Sequence, residues 1–167
     1  MNKVILAGAL LVAVILVAGC RPALSEQEGP TAAHVVAASD LEAGRYLVVV
    51  GGCNDCHTAG YARSGGARPA EAEWLKGSSE PHSGPWGTSF GKNLRLTVAE
   101  RSEDEWVQLL DTGTSLPPMP WPSVRQMSEA DKRAVYRYIR SLPGDAGQPA
   151  PAPLPPRPEG LPAAKTP

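Results

Sequence analysis

Two of the three cysteines and one of the three histidines of this 167-residue chain fall inside one short stretch, Gly51-Gly52-Cys53-Asn54-Asp55-Cys56-His57. Two thiols separated by two residues, with an imidazole directly after, suit three kinds of chemistry. They can close a tight redox-active disulfide, give half of a zinc site, or form thioethers to the two vinyl groups of a haem whose iron the histidine then binds. A zinc ribbon needs a second ligand pair, and the chain offers none. A thioredoxin-like dithiol belongs with alternating strands and helices, a pattern the sequence lacks, so a Cys53–Cys56 disulfide is the second use of the pair. The spacing fits the third use: one turn of chain lets Cys53 and Cys56 reach both vinyls and brings His57 beneath the ring. The expectation is one covalent haem c on Cys53 and Cys56, with His57 as proximal metal ligand.

A six-coordinate iron needs a second ligand. Met119 lies in Leu116-Pro117-Pro118-Met119-Pro120-Trp121-Pro122, where flanking prolines fix the backbone and remove donors, so the thioether is held in place. Met119 is the expected distal ligand. Met127 opens the last predicted helix and reads as a packing contact. His82 lies in a Gly/Ser/Pro-rich loop and His34 in the N-terminal tether. An open sixth position is the remaining alternative. No Ser/His/Asp pattern or carboxylate pair is present, so no catalytic residue is assigned.

Three helices are expected to position these groups. Ser39-Asp40 caps the first, whose apolar residues Leu41, Tyr46, Leu47 and Val50 lie on one face; Gly51-Gly52 ends it, although the three valines before them also suit a strand. Ser102 and Glu105 form a capping box for the second, with Trp106, Leu109 and Leu110 facing inward and Gly113 ending it. Ser128 starts the third, whose buried face is Val135, Tyr138, Ile139 and Leu142 and which Pro143 stops. Between His57 and Glu100 the chain is rich in Gly, Ser, Pro and charge without helix or strand period. Loops this long need something besides protein to organise them. One phenylalanine, Phe90, and few long apolar side chains make a thin core, which a large apolar prosthetic group would complete.

The ends of the chain set the compartment. Lys3 and the uncharged run Val4–Ala18 have the layout of a secretory signal over 1–19, and Val17-Ala18-Gly19-Cys20 resembles a bacterial lipobox, with lipid on Cys20; an uncleaved anchor helix is the alternative. Both put the rest of the chain outside the cytoplasm, on a membrane surface. Residues 20–38 read as a lipid-anchored tether, 39–144 as one small domain, and 145–167, dominated by Pro, Ala and Gly, as a disordered tail acting as spacer or solubiliser. The net charge of −1 comes with no basic stripe, so nucleic acid is not an expected partner.

The segment from Leu41 to Leu142 resembles the class I monohaem c-type cytochromes, and is especially similar to the membrane-anchored cytochrome subunits that serve bacterial periplasmic dehydrogenases. The resemblance rests on the stretches GRYLVVVGGCNDCHT, GTSFGKNL, WVQLLDTG, LPPMPW and MSEADKRAVYRYIRSLP. The haem motif and the Met loop are its specific parts, and 60–84 follows no pattern of the family. The resemblance implies an all-α cytochrome c fold of three or four short helices with long loops around the haem. Its first and last helices cross, Gly44 and Tyr46 meeting Tyr136 or Tyr138. It places Asn93 and Arg95 near the haem propionates and Trp121 against the ring near Met119; Asn93 also reads as a plain turn residue. Trp86 is left between a haem-edge contact and a partner surface. It implies a one-electron carrier, not an enzyme, on the periplasmic side of a bacterial membrane, taking electrons from a dehydrogenase donor and passing them to a respiratory acceptor, with no small-molecule substrate. The competing functions are a dedicated subunit of one dehydrogenase, a gas sensor or peroxidase if Met119 does not bind iron, and a structural lipoprotein with a vestigial haem.

Overall fold

A computed structural model describes residues 33–156. The expected signal, Cys20 and most of the tether lie outside the described residues, as does the end of the tail. The described part is mainly helical: α1 (Asp40–Val50), α2 (Cys53–His57), α3 (Leu94–Ala99), α4 (Glu103–Thr112), α5 (Trp121–Arg125) and α6 (Glu129–Ser141), with 3-10 turns at Ala62–Ser64 and Glu71–Glu73. One antiparallel hairpin joins β1 (His82–Gly84) to β2 (Gly87–Ser89), pairing His82 with Ser89. None of these helices is long and apolar enough to cross a membrane.

The three expected helices are α1, α4 and α6, and their caps are those read from the sequence. The Ser39 hydroxyl accepts from the Glu42 amide at 3.2 Å. Ser102 and Glu105 close a full capping box, and Ser128 accepts from the Asp131 amide at 3.1 Å. Each satisfies an orphan amide of a first turn, worth about 1 kcal/mol. α2, α3, α5 and the hairpin are additions that the sequence pattern did not show, each only three to six residues long.

The buried face of α1 differs from the expected one. Leu41, Tyr46 and Val50 are exposed, Val50 by 58%, while Ala43, Gly44 and Val48 are buried. The reason is how closely α6 approaches. A methyl group on Gly44 would overlap the Ala134 carbonyl and the Tyr138 Cβ, so the helices meet where side chains are smallest and the larger residues turn outward. Gly44 thus meets Tyr138 as the resemblance implied. Tyr46 is 55% exposed, and the Tyr136 hydroxyl donates to the Arg101 carbonyl at 2.8 Å.

Around this crossing lies one apolar cluster: Val48, Trp74, Leu75, Val98, Trp106, Leu110, Val135, Tyr138 and Ile139. Trp74 and Leu75 come from the stretch without periodicity, so the core is fuller than the sequence reading allowed. Trp74 is fixed by its indole N–H on the Pro69 carbonyl at 3.0 Å and by an edge contact with Tyr61.

Both domain edges extend past the expected 39–144. The Val35 amide donates to Asp131 Oδ1 at 2.9 Å. Residues 145–156, expected to be disordered, run as a strap over the domain. Thr88 and Leu154 exchange backbone hydrogen bonds at 2.9 and 2.8 Å, which adds a third strand-like segment beside β2. The proline-rich composition does not prevent this, because the residues that dock supply mostly carbonyls, which proline segments retain.

Candidate functional site

Gly52, at φ +66, makes the left-handed turn that separates α2 from α1. Cys53, Cys56 and His57 therefore occupy one short helix, as the spacing required. Two strands of loop wrap that helix. The Gly77 amide donates to the His57 carbonyl at 2.8 Å. Gly91 lies so close that a methyl on it would overlap the Cys56 carbonyl. This approach carries the Lys92 carbonyl to 2.7 Å from Nδ1 of His57. A carbonyl only accepts, so Nδ1 carries the proton and Nε2 holds the lone pair. Among the described residues no hydrogen-bond partner engages Nε2. Burial lowers the His57 pKa, the Lys92 carbonyl opposes this, and the nearby charges of His82 and Lys92 lower it further. The imidazole is thereby held neutral, oriented and open at one nitrogen, the state of a metal-binding histidine.

Cys53 and Cys56 are both free thiols. Burial pushes Cys53 up to about 11, and burial with the charges of Asp55 and Glu80 raises Cys56. A redox-active dithiol needs the opposite displacement. Among the described residues no group of three or more His, Cys, Asp or Glu gathers to hold a metal ion.

Behind the motif, Asn54 is fully buried. It accepts from Thr58 Oγ1 at 2.7 Å, and Thr58 Oγ1 accepts from the Leu75 amide at 2.8 Å. This chain of bonds fixes the back of α2 to the core, so its other face is presented on a rigid mount.

Met119 is half-buried and stands outside the apolar cluster, whereas Met127 packs against it. That is the division expected of a loop methionine and a packing methionine. The Met119 loop holds a cis Pro117–Pro118 bond. Ser89 Oγ donates to the Pro117 carbonyl, and the Trp121 amide donates to the Met119 carbonyl at 2.9 Å. The Trp121 indole lies over Gly113 and its N–H donates to the Ser115 carbonyl at 3.1 Å.

Asn93 and Arg95, expected at the haem carboxylates, are committed elsewhere. Asn93 caps α3 through Oδ1, and its Nδ2 donates to the carbonyls of Ala146 and Gln148 at 2.6 and 3.0 Å. The Arg95 guanidinium donates to the carbonyls of Trp74, Pro143, Asp145, Glu71 and Ala72. Neither side chain keeps a free donor. The strap, invisible as structure in the sequence, takes both donors of Asn93 and, at Asp145, one of those of Arg95; the carbonyls of Glu71, Ala72, Trp74 and Pro143 take the rest.

The hairpin carries two groups that the sequence reading left unresolved. His82 Nε2 and Trp86 Nε1 are both shielded from solvent without a hydrogen-bond partner. Two clefts elsewhere, of about 420 Å³ beside Glu100 and Gln108 and about 160 Å³ beside Arg95 and Ile139, touch neither α2 nor the Met119 loop.

No protein-family model, no curated protein and no solved structure matches the chain.

Proposed function

We propose that this domain has a cytochrome c fold, holds one haem covalently through Cys53 and Cys56, and works as a one-electron carrier. The observation that carries the reading is His57: it directly follows the cysteine pair and is fixed at Nδ1 by the Lys92 carbonyl while Nε2 stays unpaired. The residues fit the group in other ways. The thiols are neutral and unpaired with each other. Met119 stands clear of the core in a loop that Ser89 ties down. Among the described residues three buried side-chain nitrogens, Asn54 Nδ2, His82 Nε2 and Trp86 Nε1, have no hydrogen-bond partner.

Haem, when bound, supplies the iron that gains and loses one electron. Cys53 and Cys56 would anchor it by thioethers, His57 and Met119 would be its iron ligands, and this pairing would favour a raised potential. With both ligands in place the iron would offer substrate no open site, which fits a carrier better than an enzyme. Lipid on Cys20 would hold it at the periplasmic face of a bacterial membrane, where a dehydrogenase donor and a respiratory acceptor are its partners. Redox titration of the purified protein tests the function. The optical change should follow a one-electron curve, about 59 mV per decade, and the reduced protein should not bind carbon monoxide. Ready binding of carbon monoxide would make it a sensor or peroxidase instead.

A further inference from the structure

The strap fastens the segment that carries the acceptor for His57, and it does so at three points. Thr88 and Leu154 exchange backbone hydrogen bonds, and a methyl on Gly87 would overlap the Leu154 carbonyl. Asn93 Nδ2 donates to the Ala146 and Gln148 carbonyls at 2.6 and 3.0 Å. Arg95 donates to the Asp145 carbonyl at 3.3 Å.

The middle point adjoins the support of His57. Lys92 and Asn93 share a peptide group, and a peptide group is planar, so the Lys92 carbonyl oxygen and the Asn93 Cα belong to one rigid unit. That oxygen is the one 2.7 Å from His57 Nδ1. The unit is held from both of its ends. Before it, Gly91 sits so close to the Cys56 carbonyl that a methyl would not fit. After it, the Asn93 side chain is bound at each polar atom: Oδ1 accepts from the Leu96 amide at 3.0 Å, and Nδ2 has a strap carbonyl for each of its two hydrogens. A carboxamide bound in this way keeps one rotamer, and rotamer and backbone angles are coupled.

The strap is shaped for this grip. Gly147 takes φ +77, a left-handed turn open to glycine, and the two carbonyls flanking it meet on one amide. The Gly147 amide is itself held by Asp145 Oδ1 at 2.8 Å, and Asp145 lies 3.7 Å from Lys76 Nζ. We infer that Asn93 is a positioning residue through which the strap sets the hydrogen bond between Lys92 and His57, and with it the donor strength of the imidazole toward iron. This rests on the haem reading. A metal-binding histidine is a stronger donor when its other N–H is firmly bonded, so the grip on residue 93 adjusts the potential at one remove.

The experiment uses the full-length holoprotein, with haem per chain measured first by mass. A chain without haem overturns the parent reading, and the inference with it. With haem present, the midpoint potential and the exchange of the His57 Nδ1 proton in the ferrous state are compared for wild type, Asn93→Ser, Gly147→Val and the double variant. Serine keeps an oxygen for the α3 cap but loses Nδ2, and valine is strained at φ +77. Each single variant should raise the potential and speed the exchange. The double variant should go no further than the larger single one, because both act on the same contact. Additive shifts would show that Gly147 does not act through Asn93, and overturn the inference. Ser102→Ala, which weakens the α4 cap, should lower stability and move neither readout. If Asn93→Ser and Gly147→Val behave in that same way, the strap serves packing alone and the inference is overturned while the haem reading stands. If the variants do not accumulate, the wild type decides by NMR. The Asn93 side-chain amide and the His57 Nδ1 proton should exchange through one opening, with the same dependence on dilute urea. A His57 proton that stays protected while the Asn93 amide exchanges overturns the inference.

Discussion

Nδ1 of His57 lies 2.7 Å from the carbonyl oxygen of Lys92, and the chain reaches that position only because Gly91 has no side chain. A methyl there would overlap the Cys56 carbonyl. The bond sets the tautomer of the one imidazole beside the cysteine pair, so a backbone requirement at residue 91 becomes an electronic property at residue 57. Gly91→Ala should push 91–93 away from α2 and loosen His57. The expected cost is about 1–3 kcal/mol of stability, read from urea unfolding, together with a raised midpoint potential, since a histidine without its Nδ1 acceptor is a poorer donor to iron. An unchanged potential would separate the glycine from the histidine.

The two methionines should separate cleanly. Met119→Ala should abolish the near-infrared sulfur–iron band and admit carbon monoxide while leaving the fold intact, because Met119 lies outside the core. Met127→Ala should keep the band and lower stability by about 1–3 kcal/mol, the low end for a methionine lost from packing. The reverse outcome would move the ligand to Met127.

The strap invites truncation. A chain ending at Ser141 loses the Pro143, Asp145, Ala146 and Gln148 carbonyls that Arg95 and Asn93 use, and leaves a buried guanidinium with donors unmade. Hydrogen bonds to charged groups contribute about 1.5–3 kcal/mol each, so a loss of at least about 3 kcal/mol is expected. A chain ending at Pro156 retains every one of these bonds and should unfold like the full-length protein. Equal stability of the two truncations would show that the strap is passive.

The parts of this architecture that were legible in the sequence are those with strong local chemistry. Ser39, Ser102 and Ser128 announced three helices because a cap is a side chain bonding its own backbone three residues on. The spacing of Cys53, Cys56 and His57 marked them as a candidate site, and the structure places all three on α2. The inward face of α1 was misread because hydrophobicity ranks Leu41, Tyr46 and Val50 above Ala43 and Gly44, while the close approach of α6 selects for size. The strap was hidden for a related reason. Its hold on the domain comes from backbone carbonyls received by Asn93 and Arg95, and carbonyls leave no trace in composition. His82 and Trp86 were similarly unreadable, since a missing partner is visible only once the surroundings are known.

Alkaline pH should weaken the domain through Tyr138. Its hydroxyl donates to Glu71 Oε1 at 2.5 Å. Burial first, then the Glu71 hydrogen bond and charge, push its pKa well above the ordinary phenol value. The fold therefore holds the protonated phenol. This contribution is fully present below the unfolded pKa of about 10 and is lost as pH rises from there toward the folded pKa. The difference in unfolding free energy between wild type and Tyr138→Phe should shrink across that window. A constant difference would show that Tyr138 ionises as easily folded as unfolded.

The central claim is that Cys53 and Cys56 carry one haem, and intact mass after expression with export and haem-attachment machinery tests it most directly. The account predicts a mass one haem above that of the processed polypeptide, with the chromophore retained through denaturant and acid–acetone extraction and absent after Cys53→Ala with Cys56→Ala. A folded, exported protein at polypeptide mass alone, or with Cys53 and Cys56 joined as a disulfide, would contradict it.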